Sequence, residues 1–285
     1  MSQKIQWDKA ISARRYATEG GRYYGPVDIT TFNQFENPLR PSWTNLASVE
    51  ASPGLANWKQ QHGYFADVLT SWATTKGTGA HNAVELMIDG ETIDDTFFTD
   101  YLENHEDIKW KMNGSKWQMI EEIKKCVMQF ILWHEEHQPT ILKSEIMMWH
   151  PDVPYAGTAD LIMKIHNKKQ GQDILMVGDL KTGNESDKHF VQCMAYAILL
   201  EKIYNLKVGA VGSLYCQGRY KGEPKPGKMK VKVIRNKAGE FTEDAHKLMD
   251  KVVKLVDLFQ ANNPSQPTRK KPLPKKFSLN IKGEK

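Results

Sequence analysis

The fold is decided by residues 155–183, which read YAGTADLIMKIHNKKQGQDILMVGDLKTG. Two runs of mostly apolar residues flank the polar turn NKKQGQ, and this pattern predicts an antiparallel hairpin. A turn centred between Lys169 and Gln170 places Asp160 directly opposite Asp179, with Cβ atoms about 4.5–5.5 Å apart.

This hairpin has one acidic face and one apolar face. Lys181 lies two residues beyond Asp179 and therefore points to the same side as Asp160 and Asp179. The opposite face carries apolar residues or glycine only: Ala159, Leu161, Met163, Ile165, Ile174, Met176, Gly178 and Leu180. The register that builds an apolar core thus also brings two carboxylates and an ammonium together, whereas a slip of one residue would separate the carboxylates.

Two carboxylates that face each other repel unless a cation lies between them. Hard oxygen ligands favour Mg²⁺ or Mn²⁺. Such an ion polarises a phosphoryl oxygen and lowers the pKa of a bound water, and a nearby lysine stabilises negative charge on the phosphate. This chemistry suits hydrolysis of a phosphodiester. The same three residues also fit a solvated face with an ordinary ion pair, and alone they leave both interpretations open.

Around the hairpin, periodicity predicts helices first and a mixed sheet later. The predicted elements are helices at about 57–75, 80–88, 92–104 and 115–137, strands at about 141–149, 155–166 and 173–181, a helix at 187–204, strands at 208–217 and 228–235, and a helix at 241–261. Lys76–Gly79 reads as a helix break, Ser115 as an N-cap and Pro139 as a helix stop.

We therefore expect an α/β (α+β) fold. Its central mixed β-sheet would contain a β-meander, a crossover helix and a returning strand, preceded by a helical wall or arch. Four parts follow from this order: an irregular N-terminal segment at 1–56, packed on the core and with one helix near 7–18, a helical region at 57–139, the sheet core at 140–262, and a basic tail at 263–285. The tail is rich in Pro and Lys and is predicted to be disordered.

Composition excludes several classes of protein. The chain has 285 residues, of which 40% are hydrophobic and 26% charged, as in soluble globular proteins. We expect neither a membrane span nor a secretory signal. Cys126, Cys193 and Cys216 form no C-x-x-C pair, so we expect no structural zinc, iron–sulfur cluster or disulfide framework. The net charge of +5 permits an acidic partner such as nucleic acid without requiring one.

A wider set of motifs resembles the PD-(D/E)XK nuclease superfamily, and within it the RecB-type exonuclease branch. Gly157-x-x-Asp160, Asp179-Leu180-Lys181 and Gln192-x-x-x-Tyr196 stand in the family's order, and GTGAHNAVE supplies an upstream helix histidine. The stretch RPSWTNLASVEASPGLANWKQQ resembles the N-terminal part of a group that includes the mitochondrial genome maintenance exonuclease and the CRISPR adaptation nucleases. The resemblance covers about residues 41–217, without the iron–sulfur cysteines of some relatives.

The resemblance implies a metal site and assigns its ligands. Asp160 and Asp179 would be carboxylate ligands, the backbone carbonyl of Leu180 a further ligand, and His81 an imidazole ligand that suits Mn²⁺ somewhat better than Mg²⁺. Glu145 occupies a strand position at which the family often has an acidic residue, and would either support the ligands or bind a second metal.

The resemblance also implies the catalytic residues. Lys181 would be the catalytic lysine, and Gln192 and Tyr196, at i and i+4 on one helical face, would position that lysine and the DNA backbone. Tyr196 also fits a plain role in the core. Glu85 lies one helical turn after His81 and could face the site.

The implied activity is that of a metal-dependent DNA exonuclease, acting on single-stranded DNA or DNA ends in recombination, repair or replication. The small stand-alone form suggests a phage enzyme in the host cytoplasm, with a bacterial enzyme, or a mitochondrial or nuclear one in a eukaryote, as alternatives. A catalytically inactive nucleic-acid-binding protein and a sequence-specific endonuclease are the competing hypotheses. The oligomeric state is left open by the sequence.

Lys228, Lys230 and Lys232 alternate with apolar residues, which gives one strand a basic face. Two interpretations are about equally good. The lysines would contact a phosphate backbone, or they would line an edge strand and prevent aggregation.

Overall fold

The structure, a computed structural model, describes residues 13–18, 21–26, 39–50 and 53–263. Within these ranges it confirms the α/β class. The strands are β1 (Ala13–Thr18), β2 (Gly21–Pro26), β3 (Arg40–Pro41), β4 (Thr140–Met148), β5 (Gly157–Asn167), β6 (Gln172–Lys181), β7 (Ala210–Tyr215) and β8 (Lys228–Val233). The helices are α1 (Trp43–Ala47), α2 (Pro53–His62), α3 (Tyr64–Ile88), α4 (Asp95–Glu103), α5 (Lys116–His137), α6 (Lys188–Tyr204) and α7 (Glu243–Asn262). None of these helices combines the length and apolar character that crossing a bilayer requires.

The central sheet has the order β4-β5-β6-β7-β8, and α6 connects its one parallel pair, β6 and β7. The other neighbours are antiparallel. The β5–β6 hairpin has the predicted register, because its pairs run from Leu161–Gly178 to Asn167–Gln172. Extended by one step, this register places Asp160 opposite Asp179.

Both faces of the sheet are buried, although the sequence predicted only one apolar face. The first face packs against α3, α4 and α5, and its buried residues from the hairpin are Leu161, Met163, Ile174, Met176 and Leu180. The second face packs against α6 and α7 and buries Ile162 and Val177. Ala159, which the alternation assigned to the first face, belongs to this second cluster. The acidic end of the hairpin therefore lies between two cores, with little solvent around it.

The N-terminal segment differs from the prediction. Residues 13–18 form β1 instead of part of a helix, and β1, β2 and β3 make a three-stranded sheet where the sequence predicted irregular structure. Tyr16, Tyr23 and Tyr24 are all buried in this sheet, which is consistent with the strand preference of aromatic residues. Residues 7–12 and the predicted disordered tail from residue 264 onward lie outside the described residues.

The predicted break at Lys76–Gly79 is also wrong, because α3 runs through it without interruption. A Cβ at Gly79 would lie 2.8 Å from both Ile123 Cδ1 and Tyr101 Cε1, and one at Gly77 would lie 3.2 Å from Thr182 Oγ1. The glycines let α3 approach its neighbours closely and do not end the helix. Close packing outweighs their low helix propensity.

The predicted start and end of α5 are confirmed. The Ser115 side chain accepts from the backbone N–H of Gln118, and the Gln118 side chain accepts from the backbone N–H of Ser115, which makes a capping box. The helix ends at His137, two residues before Pro139.

Candidate metal and catalytic site

The acidic end of the β5–β6 hairpin holds two carboxylates in different surroundings. Asp160 keeps a side-chain exposure of 13%, and its Oδ2 accepts a hydrogen bond of 2.9 Å from the backbone N–H of Leu180. Asp179 is only 1% exposed. One carboxylate thus borders a cleft, and the other lies behind it.

Helix α3 carries His81 to the same place. Its Nε2 lies 2.9 Å from the backbone oxygen of Leu180. Its Nδ1 lies 3.5 Å from Oε1 of Glu145 and 3.7 Å from Oδ2 of Asp160. One ligand atom from each of His81, Glu145 and Asp160 can be chosen so that all three lie within 4.8 Å of one another, a spacing that one metal ion can bridge.

Glu145 reaches this cluster from β4, through an unusual backbone. Ser144 pairs with Leu161 and Ile146 with Ala159, so Glu145 lies across from Asp160. Its φ angle of +45° falls in the left-handed region, which is uncommon for a residue other than glycine. Such strained residues concentrate at functional sites, and here the strain belongs to one of the clustered carboxylates.

Behind the cluster, Asp179 is held by two side chains. Nζ of Lys181 lies 2.9 Å from its Oδ1 and 2.7 Å from its Oδ2. Nε2 of Gln192, on α6, donates to Oδ1 at 3.0 Å. Gln192 therefore holds the carboxylate that in turn contacts the lysine, and its predicted positioning role stays a prediction.

The charges of the cluster determine the protonation of His81. Burial lowers the pKa of its ring, but the carboxylates of Asp160 and Glu145 raise it more, and the result is a pKa of about 9. Without a cation, the ring therefore carries a proton at neutral pH. That proton compensates for a site rich in carboxylates, as a metal ion would.

The pair of Asp179 and Lys181 is ionised at neutral pH. Burial raises the pKa of Asp179 to about 6, although the charge of Lys181 lowers it. Burial lowers the pKa of Lys181, but the carboxylates of Asp179 and Asp160 outweigh burial, and the pKa lies above its ordinary value. Lys181 is consequently an ammonium, suited to stabilising negative charge and unsuited to removing a proton.

Tyr196 lies in the core and is only 3% exposed. A Cβ at Gly157 would lie 2.5 Å from Cε1 of its ring, so the ring fills the space that a side chain at Gly157 would need. Burial raises the pKa of its hydroxyl, and the charges of Asp160 and Asp179 raise it further. A side chain this buried packs behind the carboxylates and is poorly placed for the predicted contact with the DNA backbone.

These donors fit a hard divalent cation. One imidazole nitrogen with carboxylate and carbonyl oxygens suits Mn²⁺ or Mg²⁺. His81 Nε2 lies within hydrogen-bond distance of the Leu180 oxygen, at 2.9 Å, whereas Nδ1 faces Glu145 and Asp160. One ion cannot bind both nitrogens of a ring, so an ion among the carboxylates would bind Nδ1, and the ligand role of the Leu180 carbonyl stays a prediction.

Both carboxylate oxygens of Asp179 contact the Lys181 ammonium, which lies 2.9 Å from Oδ1 and 2.7 Å from Oδ2. Among the described residues, Asp179 is not one of those whose ligand atoms cluster with His81. Its predicted role as a metal ligand therefore stays a prediction.

The structure thus brings together most of the predicted residues. His81, Asp160, Glu145 and the Leu180 carbonyl meet directly, while Asp179 turns toward Lys181 and Gln192. Glu85, one turn along α3, lines the same cleft. Burial raises its pKa, and the charge of Glu145 raises it further, so three carboxylates face one histidine.

His189 is a further residue near the site, and no motif in the sequence singled it out. It lies in the first turn of α6, and its Nδ1 is 3.0 Å from the hydroxyl of Tyr215. Burial lowers its pKa, and the charge of Lys181 lowers it further. Its spacing of three residues before Gln192 was the available signal, because both then lie on one helical face.

The basic strand β8 is an edge of the central sheet. Lys228 lies 2.9 Å from a carboxylate oxygen of Glu185, which also pairs with Lys230. Lys232 lies 4.8 Å above the ring of Phe190. The edge position fits the interpretation as protection against aggregation, and phosphate binding stays a prediction.

No protein-family model matches the chain, and a search of curated proteins found no match either.

Proposed function

We propose that the protein is a metal-dependent deoxyribonuclease, most simply an exonuclease on single-stranded DNA or DNA ends. One observation carries this proposal. Ligand atoms of His81, Glu145 and Asp160 lie within 4.8 Å of one another, directly beside the ion pair of Lys181 and Asp179. A structural ion pair alone would not need a histidine and a strained glutamate aimed at the same point.

The residues have separate tasks in this proposal. His81, through Nδ1, together with Asp160 and Glu145 would hold the ion, which would supply Lewis acidity toward a phosphoryl oxygen and a more acidic water. The Leu180 carbonyl, 2.9 Å from Nε2, would orient the ring. Lys181, as an ammonium, stabilises the charge that develops on the phosphate. Asp179 and Gln192 hold the lysine in place.

The shape of the cleft supports a flexible substrate. The side chains of His81, Glu145 and Asp160 are 26%, 28% and 13% exposed, respectively. Groups this recessed, between α3 and β4, are easier to reach for an unpaired strand or a frayed end than for the middle of a rigid duplex.

Cleavage of end-labelled single-stranded DNA in Mn²⁺ or Mg²⁺ tests the proposal. We expect Lys181→Gln and Asp179→Asn to reduce the rate by about 100-fold or more, as loss of a charge-stabilising group does. Lys164→Gln, at an exposed lysine on the same hairpin, is the matched control and should cut at the wild-type rate.

Three outcomes would contradict the proposal in different ways. Equal cleavage rates for wild type and Lys181→Gln would show that the assigned site does not carry out the cleavage. Binding without cleavage in both metals would favour the inactive nucleic-acid-binding protein. Discrete fragments from circular duplex DNA would favour the sequence-specific endonuclease, because an exonuclease needs a free end.

A further inference from the structure

A second cavity lies next to the candidate site and is not used by the proposed chemistry. It measures about 420 Å³ and lies between the end of α3, the second half of α5 and the start of β4. Ile88, Phe130, Ile131 and Ile141 give it apolar walls. This volume is within the ~300–1,000 Å³ of typical small-molecule sites, so it can admit a flat organic group.

The cavity is a neighbour of the candidate site. Ile88 lines both the cavity and the cleft that contains His81. Along α3, the step from His81 to Ile88 spans ~10 Å at 1.5 Å per residue. Along β4, the step from Glu145 to Ile141 spans ~13 Å at 3.3 Å per residue. Helix α3 and strand β4 therefore border both the cavity and the candidate site, and a substrate bound at the site would extend past the cavity.

The walls suit an aromatic group. The exposed ring of His134 lies at the rim, 6.3 Å from the buried ring of Phe130 in the wall, at an angle of 29°. Unpaired nucleobases bind by stacking on aromatic side chains without regard to sequence. The rim also carries the exposed Glu135, whose carboxylate repels phosphate and accepts hydrogen bonds from an exocyclic amino group. A base can enter while the backbone stays outside.

We propose that this cavity, bordered by Ile88, Phe130 and Ile131, receives one unpaired base of the DNA strand being cut. A strand rises ~3.4 Å per nucleotide when stacked and more when extended, so ~10–13 Å places this base roughly two to four nucleotides from the scissile phosphate. The inference rests on the proposed nuclease function. It adds that the substrate is single-stranded where it passes the cavity, because a base within a duplex is not available to enter.

Scanning an abasic residue through an end-labelled oligonucleotide tests the inference on the full chain in Mn²⁺. We expect the rate at a given bond to fall by about 5- to 150-fold when the abasic residue is at one fixed offset from that bond, in line with measured losses of base stacking. Equal rates at every abasic position would overturn the base pocket and leave the nuclease function standing. No cleavage of any oligonucleotide would overturn both.

A variant links the effect to this cavity. Ile131→Trp fills the space, and we expect it to cut the intact oligonucleotide at the slow rate of the abasic one, with no further loss on the abasic substrate. Met128→Trp on the same helix is the control, because Met128 is 38% exposed and does not line the cavity. If a folded Ile131→Trp keeps the full wild-type dependence on the base, the cavity is not the pocket.

Discussion

Gln192 shows how the site is supported at the scale of single residues. It donates to a buried carboxylate oxygen of Asp179, and a buried charge that loses a donor costs about 1–3 kcal/mol. We therefore expect Gln192→Met, similar in size but unable to donate, to slow cleavage by about 5- to 150-fold while Mn²⁺ binding changes little. The measurement is the cleavage rate at saturating Mn²⁺, together with a metal titration.

Gln60→Met, at an exposed glutamine of α2, controls for the chemical change itself. An unchanged rate in Gln192→Met would show that Asp179 and Lys181 are positioned without this hydrogen bond.

Competition between a proton and the metal should appear at His81. The carboxylates of Asp160 and Glu145 keep the pKa of the ring at about 9, so an ion must displace one proton below that pH. We expect the affinity for Mn²⁺ to rise about tenfold per pH unit between 6.5 and 8.5. Calorimetric titration at several pH values measures this rise, and an affinity independent of pH would contradict it.

The placement of the acidic and basic side chains on the β5–β6 hairpin was predictable from the sequence. The alternation in residues 155–183 is long enough to allow one register only, since a one-residue slip would turn Asp179 and Lys181 to the apolar face of β5. Asp160, Asp179 and Lys181 follow from that register. The φ of +45° at Glu145 was not predictable, because it results from how β4 fits against β5. The position of His81 came from family resemblance and not from local pattern.

At the scale of elements, α3 shows that helix propensity alone does not predict where a helix ends. Its glycines predicted a break because glycine weakens helices, yet the close approach of Ile123 and Tyr101 to Gly79 explains their presence within a continuous helix. This contact joins residues far apart in sequence, and no local pattern reveals it. The strand at residues 13–18 was also not predicted, because it forms by pairing with β2 and no pattern within the segment itself reveals that pairing.

Because of the tight contact at Gly79, alanine at this position should destabilise the protein, which is the opposite of its usual effect in a helix. Glycine to alanine inside a helix ordinarily stabilises by about 0.5–1 kcal/mol. At Gly79 the new Cβ would lie 2.8 Å from Ile123 Cδ1, and overpacking typically costs about 1–3 kcal/mol. We expect Gly79→Ala to lower the free energy of unfolding in urea denaturation.

Gly54→Ala in α2 is the matched control, because no atom lies within 4 Å of its added Cβ. It should be neutral or slightly stabilising. If Gly79→Ala proves as stable as Gly54→Ala, the close packing of α3 is not what requires glycine.

At the scale of the whole molecule, burying both faces of the sheet places the charged cluster between two cores, and this couples its protonation to stability. Folding raises the pKa of His81 from 6.5 to about 9. The resulting stabilisation is complete below pH 6.5 and is lost as the pH rises through 9. The loss is at most about 3 kcal/mol, from 1.36 kcal/mol per pKa unit.

We therefore expect the metal-free protein to lose stability in urea denaturation between pH 6.5 and 9, and His81→Asn to lose much less over the same range. Saturating Mn²⁺ should oppose the loss, because the ion replaces the proton. Identical pH profiles for the metal-free wild type and His81→Asn would contradict the assigned linkage.

From residue 92 to residue 262 the order of helices and strands followed from periodicity, and the α/β class was correctly predicted. The burial of the second face of the sheet was not predicted, because the residues that cover it lie on α6 and α7, far along the chain. A solvated acidic face was one of the two interpretations that the hairpin residues left open, whereas the structure buries both faces and leaves a narrow cleft at the acidic end.

The most direct test of the account is a Mn²⁺ titration followed by electron paramagnetic resonance, which detects the free ion. We predict that the wild-type chain removes Mn²⁺ from solution at this site, that Asp160→Asn weakens this binding at least tenfold, and that the exposed control Lys164→Gln leaves it unchanged. Equal binding by wild type and Asp160→Asn would contradict the claim that His81, Glu145 and Asp160 converge on one divalent ion.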